Sequence, residues 1–463
     1  NDWVPETHMA FETADADRLR AQLKGDLFAR GEAGWDEARF GFNITVDPQP
    51  PLVAVPANEA DIVSVIRFAT EAGLRVAAQS KAHNPGPLGS LEDAILLRTT
   101  SMKGVAIDRD TGRASAAAGA AWSELVPGAS ELGLAALHGS APGVGIVGYH
   151  LGGGTGWYSR RHGLACNHAT GFDVVGADCE TWRVDAESDP ELFWALRGGG
   201  GGYAVVSTVE FELLEMPEVY AGALFFPFDR AAEVLHAWDE WTATVPEEMA
   251  SVGRVMQFPP IEDIPEPIRG KAFTILEAIF IGGETEGAEL TAPLTELGPV
   301  MNSLATVPPA GISDLHMDPP GPVTGVSDHM LLDLTPEAID EMLEVVGPGS
   351  GSTLTSVELR HGGGALSRPP ADAGALATLP GSHNMFAVAS TPDPSLVPPA
   401  RERLAQLNAA LGPYEAGRYL SFCENATEFS TAFPPDACDR LREAKAKYDP
   451  EGVFRANHEL SSD

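Results

Sequence analysis

The chain has 463 residues and a formal net charge of -36, from 66 acidic against 30 basic side chains. That balance repels nucleic acid and anionic lipid over most of a surface, which excludes both as expected partners. Its 44% hydrophobic and 21% charged composition is that of a soluble globular protein, and no run of about 18 apolar residues offers a membrane span.

The length exceeds one ordinary core and predicts two or three lobes. The first residues carry neither a basic n-region nor an apolar h-region. A cytoplasmic location is therefore expected, with secretion after removal of a leader as the alternative. Cys166, Cys179, Cys423 and Cys438 show neither metal-ligand spacing nor the density of a disulfide scaffold, so no metal is expected.

In chain order, residues 51–78 read as strand, helix (58–72) and strand. Strands follow at 94–97, 105–107 and 114–118, then a helix at 122–132 that Pro127 is expected to interrupt. After a glycine-rich span, 139–156, come strands at 172–176 and 181–184, a short helix at 190–196, glycines 198–202 and a strand at 205–213. From about 217 the texture changes. Proline-rich loops near 259–267 and 319–322 separate helices at 230–243 and 336–346. Strands at 223–226, 274–281, 354–359 and 385–389 predict an antiparallel sheet backed by those helices. The tail carries a helix from 400, the segment 418–422 and a final helix ending at Tyr448.

Gly143-Val-Gly-Ile-Val-Gly148 satisfies the G-x-G-x-x-G pattern of a dinucleotide-binding Rossmann turn, yet no buried strand leads into it and more glycines follow. Such dense glycine instead predicts backbone in close approach to a ligand, and a pyrophosphate cradled by main-chain N–H groups is the usual one.

Five blocks in one order carry a resemblance over nearly the whole chain: 76–84 (VAAQSKAHN), 139–148 (GSAPGVGIVG), 151–163 (LGGGTGWYSRRHG), 189–200 (DPELFWALRGGG), and Tyr448-Asp-Pro450 with Phe454-Arg-Ala-Asn-His458. With them the chain resembles the vanillyl-alcohol-oxidase superfamily of flavoproteins, and within it the berberine-bridge-enzyme-like oxidases. The resemblance implies an α+β fold. It comprises a two-lobed PCMH-type FAD-binding domain (45–216), a substrate domain with a helix-covered antiparallel sheet (217–410), and a C-terminal segment (411–463) returning to the first domain. It implies FAD bonded through its 8α-methyl to His83. A second, cysteinyl tether is not expected, because Ala141 stands before Pro142 where some relatives have cysteine. Lys81 and Ala82 stand where the family has two glycines.

The same resemblance implies that Ser80, Lys81, Ala82, His83, Asn84, Ser140, Gly143, Gly145, Gly148, Gly152, Gly153, Gly154 and Gly156 wrap the cofactor. Val206 is expected at the adenine side and Asn457 near the flavin edge. For chemistry, Glu358 is the first candidate base, since it shares one face of its strand with Ser356 and Arg360. Burial beside the flavin is expected to raise its pKa; the alternative is an exposed ion pair with Arg360. Tyr419 is the second candidate. The expected activity is hydride transfer from an alcohol, amine or phenolic compound to FAD, with O2 as acceptor, in a monomer or homodimer. A non-redox cyclase of the same fold and a non-catalytic ligand-binding relative are the alternatives.

Overall fold

A computed structural model describes residues 13–460. Among the described residues the N-terminal half builds two large sheets, besides a short pairing of Leu134–Ala135 with Leu214–Glu215. In the first, Asp26–Ala29 pairs antiparallel with Leu52–Val55, which continues in parallel through Ala94–Arg98 to Arg75–Gln79. Helix Glu59–Ala72 makes the crossover between Leu52–Val55 and Arg75–Gln79. Its start is fixed by Asn58, whose side chain accepts from the Asp61 N–H, and its end by Gly73 in the left-handed region at φ 67°. Ile62, Val65, Ile66 and Ala69, spaced at helical periodicity, bury one face against that sheet. The second sheet is antiparallel, in the order Val105–Asp108, Arg113–Ala117, Val205–Glu212, Ala169–Val175, Thr181–Val184. Pro127 does not interrupt the helix expected there: Trp122–Glu131 runs through it, forgoing one backbone donor.

The third sheet is antiparallel throughout and has nine strands. Its core order is Val219–Pro227, Ala272–Phe280, Met249–Gln257, Ser356–His361, His383–Ser390, Gly325–Leu332. Met249–Gln257 and Gly325–Leu332 were not expected from sequence, where Gly253 and Arg254 in one and Asp328 and His329 in the other break the apolar run. Alternation decides the two faces. Val255, Val357, Leu359, Met385 and Ala387 pack under helices Ala231–Thr242, Pro336–Val346 and Val397–Leu411. The neighbouring Arg254, Ser356, Glu358 and Arg360 point the other way, into a cavity shared with the N-terminal half.

The chain end closes the first sheet. Val76 pairs in parallel with Phe454, its N–H donating to the Val453 carbonyl (2.8 Å) while Arg455 N–H donates to the Val76 carbonyl (2.9 Å). The buried Asp449 carboxylate sets the bend that precedes this pairing, accepting from the N–H groups of Val453 (2.8 Å) and Phe454 (2.9 Å) and from Lys445 Nζ (2.6 Å). Asn457 and His458 thereby reach the wall of the same cavity as residues 78–84.

Candidate flavin and substrate site

Strand Arg75–Gln79 delivers the loop Ser80–Asn84 to the cavity, and all five residues line it. Ala82 sits in the left-handed region at φ 54°, a conformation that glycine adopts without cost. Its carbonyl accepts from the Phe42 N–H (3.0 Å), and the His83 ring stacks on Phe42 with 4.0 Å between centroids. Burial pushes the His83 pKa down to about 4, against the raising influence of a hydrogen bond to the Gly143 backbone and of Asp318. The imidazole is thus neutral near pH 7, with a nitrogen lone pair available for bonding. Asn84 Nδ2 donates to the carbonyl of Cys423 (3.0 Å), tying this loop to the segment that carries Tyr419. Replacing Ala82 with glycine is expected to remove roughly 1 kcal/mol of left-handed strain; a chemical-denaturation curve of the flavin-free protein, shifted to higher midpoint, checks it.

The glycine-rich span divides in two. Ser140, Gly145, Gly148 and Gly152 line the cavity. A Cβ on Gly148 would meet nothing within 4 Å and would project into open space, whereas one on Gly145 would stand 3.1 Å from Ser80 Oγ. Gly143 abuts His83, 3.7 Å from Nε2 to an added Cβ. Gly153, Gly154 and Gly156, expected to wrap the cofactor, face protein instead: added Cβ atoms would collide with Leu376, with Tyr149 and with the His138 carbonyl. Their role is to let this loop pack closely, and Thr155 is the residue of that stretch that reaches the cavity. Val206 lies on the wall with Gly198–Gly201, as does Asn457.

The cavity measures about 1050 Å³, beyond the roughly 300–1,000 Å³ of ordinary small-molecule sites, so it has room for a large cofactor together with a substrate. Ser80 Oγ, Asn84 Oδ1 and Tyr149 OH lie buried on its wall without protein partners. Unmatched polar atoms beside an open glycine cradle are what a buried nucleotide requires, so these residues fit FAD.

An ionic cluster adjoins the same cavity. His316 is clasped between two carboxylates, with Nδ1 2.6 Å from Glu277 Oε2 and Nε2 2.7 Å from Glu358 Oε2. Arg360 Nε donates to Glu358 Oε1 (2.7 Å) and its Nη2 to Ser140 Oγ (3.3 Å), which in turn donates to Asp318 (2.9 Å). Arg254 Nη2 stands 2.7 Å from Glu277 Oε1, an ion pair without hydrogen-bond alignment, and donates to the His316 carbonyl at 3.0 Å. Arg254, His316 and Glu358 are 2% exposed and Glu277 is fully buried, so the charges must compensate one another.

This arrangement corrects the expectation for Glu358. The ion pair with Arg360 exists, but buried, and the Glu358 carboxyl lies far below the usual carboxylate range: burial alone would raise it, and Arg360 and His316 together more than reverse that. His316 is held up to about 9, because Glu277 and Glu358 outweigh a desolvation that would lower it. Tyr419 OH accepts from the Gly154 N–H (2.8 Å), and burial lifts its pKa to about 12, so it remains a neutral phenol. His138 is buried against the Gly139 carbonyl, and His361 lines a smaller neighbouring cavity.

A pH profile of stability follows from these signs. His316 has a folded pKa above its unfolded value near 6.5, so its contribution is complete below pH 6.5 and is lost as pH rises toward 9. His83, His138, His150, His329 and His383 are depressed by burial; their contribution is present above pH 6.5 and lost as pH falls below it. Thermal unfolding of the flavin-free protein is expected to peak near pH 6.5, and His316→Gln to flatten the alkaline limb alone.

Arg254, Glu277, His316, Asp318 and Tyr149 escaped the sequence reading. Glu277 did leave a trace, a lone carboxylate within the apolar strand Ala272–Phe280. His316 left none, lying on a loop whose partners come from two strands distant in sequence.

Residues 50–185 match the FAD binding domain family, and residues 430–460 the berberine and berberine like family. The FAD-linked oxidoreductase YvdP of Bacillus subtilis is 28% identical over 455 residues, spanning 94% of this chain and 97% of that protein. Glucooligosaccharide oxidase of Sarocladium strictum is 34% identical over 224 residues, 47% of this chain and 45% of the other. In fold, the crystal structure of 6-hydroxy-D-nicotine oxidase from Arthrobacter nicotinovorans superposes with a TM-score of 0.80 at 23% identity, covering 95% of this chain and 98% of that one. The cavity and these matches define an FAD-binding oxidoreductase of PCMH-type α+β fold. In sequence the chain is similar to the berberine-bridge-enzyme-like flavoproteins, carrying a match to the FAD binding domain in its first half and one to the berberine-like family at residues 430–460.

Proposed function

We propose that this protein is an FAD-linked oxidase that removes a hydride from an alcohol, amine or phenolic compound, with the flavin bonded through its 8α-methyl to His83 and O2 as the final acceptor. When bound, FAD supplies the hydride acceptor. The protein's own residues divide the remaining work. Ser80, Asn84, Gly145, Gly148, Gly152, Val206 and Asn457 hold the cofactor along one wall. The neutral His83 imidazole offers the lone pair for the tether. Glu358, ionised throughout the working pH range, accepts a hydrogen bond from the substrate O–H or N–H and orients it while the C–H hydrogen leaves as hydride and the O–H or N–H proton passes to solvent. Its two oxygens carry one strong hydrogen bond each, from Arg360 and His316, and a carboxylate has about four acceptor positions, so a substrate donor can still be received. Arg360 and Tyr419 line the same cavity.

The observation that carries this reading is one cavity joining His83 to the Glu358–Arg360 pair. The test is anaerobic mixing of the holoenzyme with alcohols and amines. Bleaching of the flavin band, reversed by oxygen with release of one hydrogen peroxide per turnover, is the expected result. A flavin that stays oxidised while product forms would replace this reading with the non-redox cyclase.

A further inference from the structure

Among the described residues, the lysine and arginine side chains that line the cavity are Lys81, Arg254, Arg360 and Arg455. The arginines each meet a carboxylate: Arg254 at Glu277 (2.7 Å), Arg360 at Glu358 (2.7 Å) and Arg455 at Asp93 (2.5 Å). Lys81 is in no ion pair among the described residues. Burial, Lys103 and Arg98 all work against its charge, and Glu124 is the carboxylate near enough to favour it. That carboxylate is already committed, since Glu124 Oε1 accepts from Lys103 Nζ (2.9 Å) and from the Ala121 N–H (3.0 Å). Arg98, buried beside them, donates to Gln79 Oε1 (3.3 Å) and likewise meets no carboxylate among the described residues. Three cations therefore share one carboxylate, in a chain whose acidic side chains outnumber its basic ones by 66 to 30. Desolvated positive charge in such local excess is unfavourable until an anion joins it.

The unmatched charge stands at the glycine cradle. A Cβ added to Gly145 would lie 3.1 Å from Ser80 Oγ and 3.7 Å from Lys81 Cγ, so the Lys81 stem, the unpartnered Ser80 hydroxyl and the Gly145 backbone meet at one point of the wall. Gly148, in the helix that follows, opens there into empty space. The turn itself does not call for lysine, because its left-handed position is Ala82. An ammonium on a flexible stem is a point charge with three donors, a form suited to phosphate oxygens. The net charge of -36 repels an anionic cofactor at long range. A cation held at the cradle, where water is partly excluded, reverses that repulsion at contact.

We propose that the Lys81 ammonium recognises the diphosphate of FAD, so that this chain selects the dinucleotide over an uncharged flavin by noncovalent contact alone. The proposal rests on the FAD assignment above and is independent of the tether. The test titrates the His83→Ala protein with FAD and separately with riboflavin, following the change in flavin fluorescence, and repeats both titrations with Lys81→Met or Lys81→Arg added. Methionine keeps an unbranched stem without the charge, and arginine restores the charge. Lys81→Met is expected to weaken FAD by about tenfold or more, the scale of one charge-assisted hydrogen bond, while Lys81→Arg recovers most of that loss and riboflavin binds all three proteins alike. Because adenine is uncharged, a loss that follows charge and not stem length reports the diphosphate. Circular dichroism of each variant checks the fold, with Lys81→Gln taking the place of methionine should that variant be unfolded. Unchanged FAD affinity in the folded Lys81→Met protein, an equal loss of riboflavin, or an arginine variant as weak as the methionine one overturns the proposal and leaves the FAD assignment standing. A folded His83→Ala parent that binds neither flavin removes the FAD assignment, and the proposal with it.

Discussion

Acid precipitation of the His83→Ala protein is expected to give a colourless pellet of unmodified chain mass, while the wild-type pellet is yellow and heavier by one FAD. Both the chemistry and the position of His83 suit it to the bond. A nitrogen nucleophile must be unprotonated, and burial holds His83 at about 4. It must also be immobile, and the stacking on Phe42 at 4.0 Å and the contact with the Gly143 backbone fix its plane. A covalent bond fixes the ring and supports oxidase chemistry, so the variant is further expected to lose turnover while still binding FAD reversibly. A colourless wild-type pellet would refute the tether; a His83→Ala pellet that stays yellow would assign the bond elsewhere. Cys166 is a poor substitute, fully buried with its thiol pushed up to about 12 by that burial.

Glu358→Gln is expected to slow flavin reduction by roughly 10–10², the loss of a charge-assisted hydrogen bond of about 1.5–3 kcal/mol that orients the substrate. The wild-type pH profile discriminates further. A carboxylate held below its ordinary range does not titrate between pH 5 and 8, so the rate of anaerobic reduction should show no acidic limb there. An acidic limb near pH 6–7 would restore the raised pKa expected from sequence and refute the clasped geometry. Stability should also fall, by up to about 3–5 kcal/mol, because the substitution leaves Arg360 and His316 buried with less counter-charge; denaturation of the flavin-free variant measures this apart from the rate.

The contrast between the two halves of the site explains what was legible in the sequence. The cofactor half is made of loops whose demands are local: Ser80–Asn84 ends a strand, Gly145 and Gly148 permit close approach, and Asn457 follows the Asp449 bend. Contiguous blocks record such demands. Composition alone does not say which neighbour requires the absent Cβ: at Gly153, Gly154 and Gly156 it is Leu376, Tyr149 and the His138 carbonyl. The substrate half is made by strand register. Arg254 faces Glu358 across one strand pair, Glu277 sits on the next strand, and His316 enters from a loop. Period-two alternation correctly placed Glu358 with Arg360 on one face. The sign of its pKa shift depended on His316 and Arg254, which no local pattern brings to it.

The pairing of Val76 with Phe454 has a consequence for biosynthesis. The strand that carries the loop to His83 is made early, but its neighbour emerges from the ribosome some 380 residues later, a delay of tens of seconds at about 5–20 residues per second. Throughout that interval the nascent chain presents a half-walled chamber, with residues 454–458 still missing from its rim. A chain truncated before Asp449 is therefore expected not to retain FAD, because the strand carrying the His83 loop would lack its neighbour.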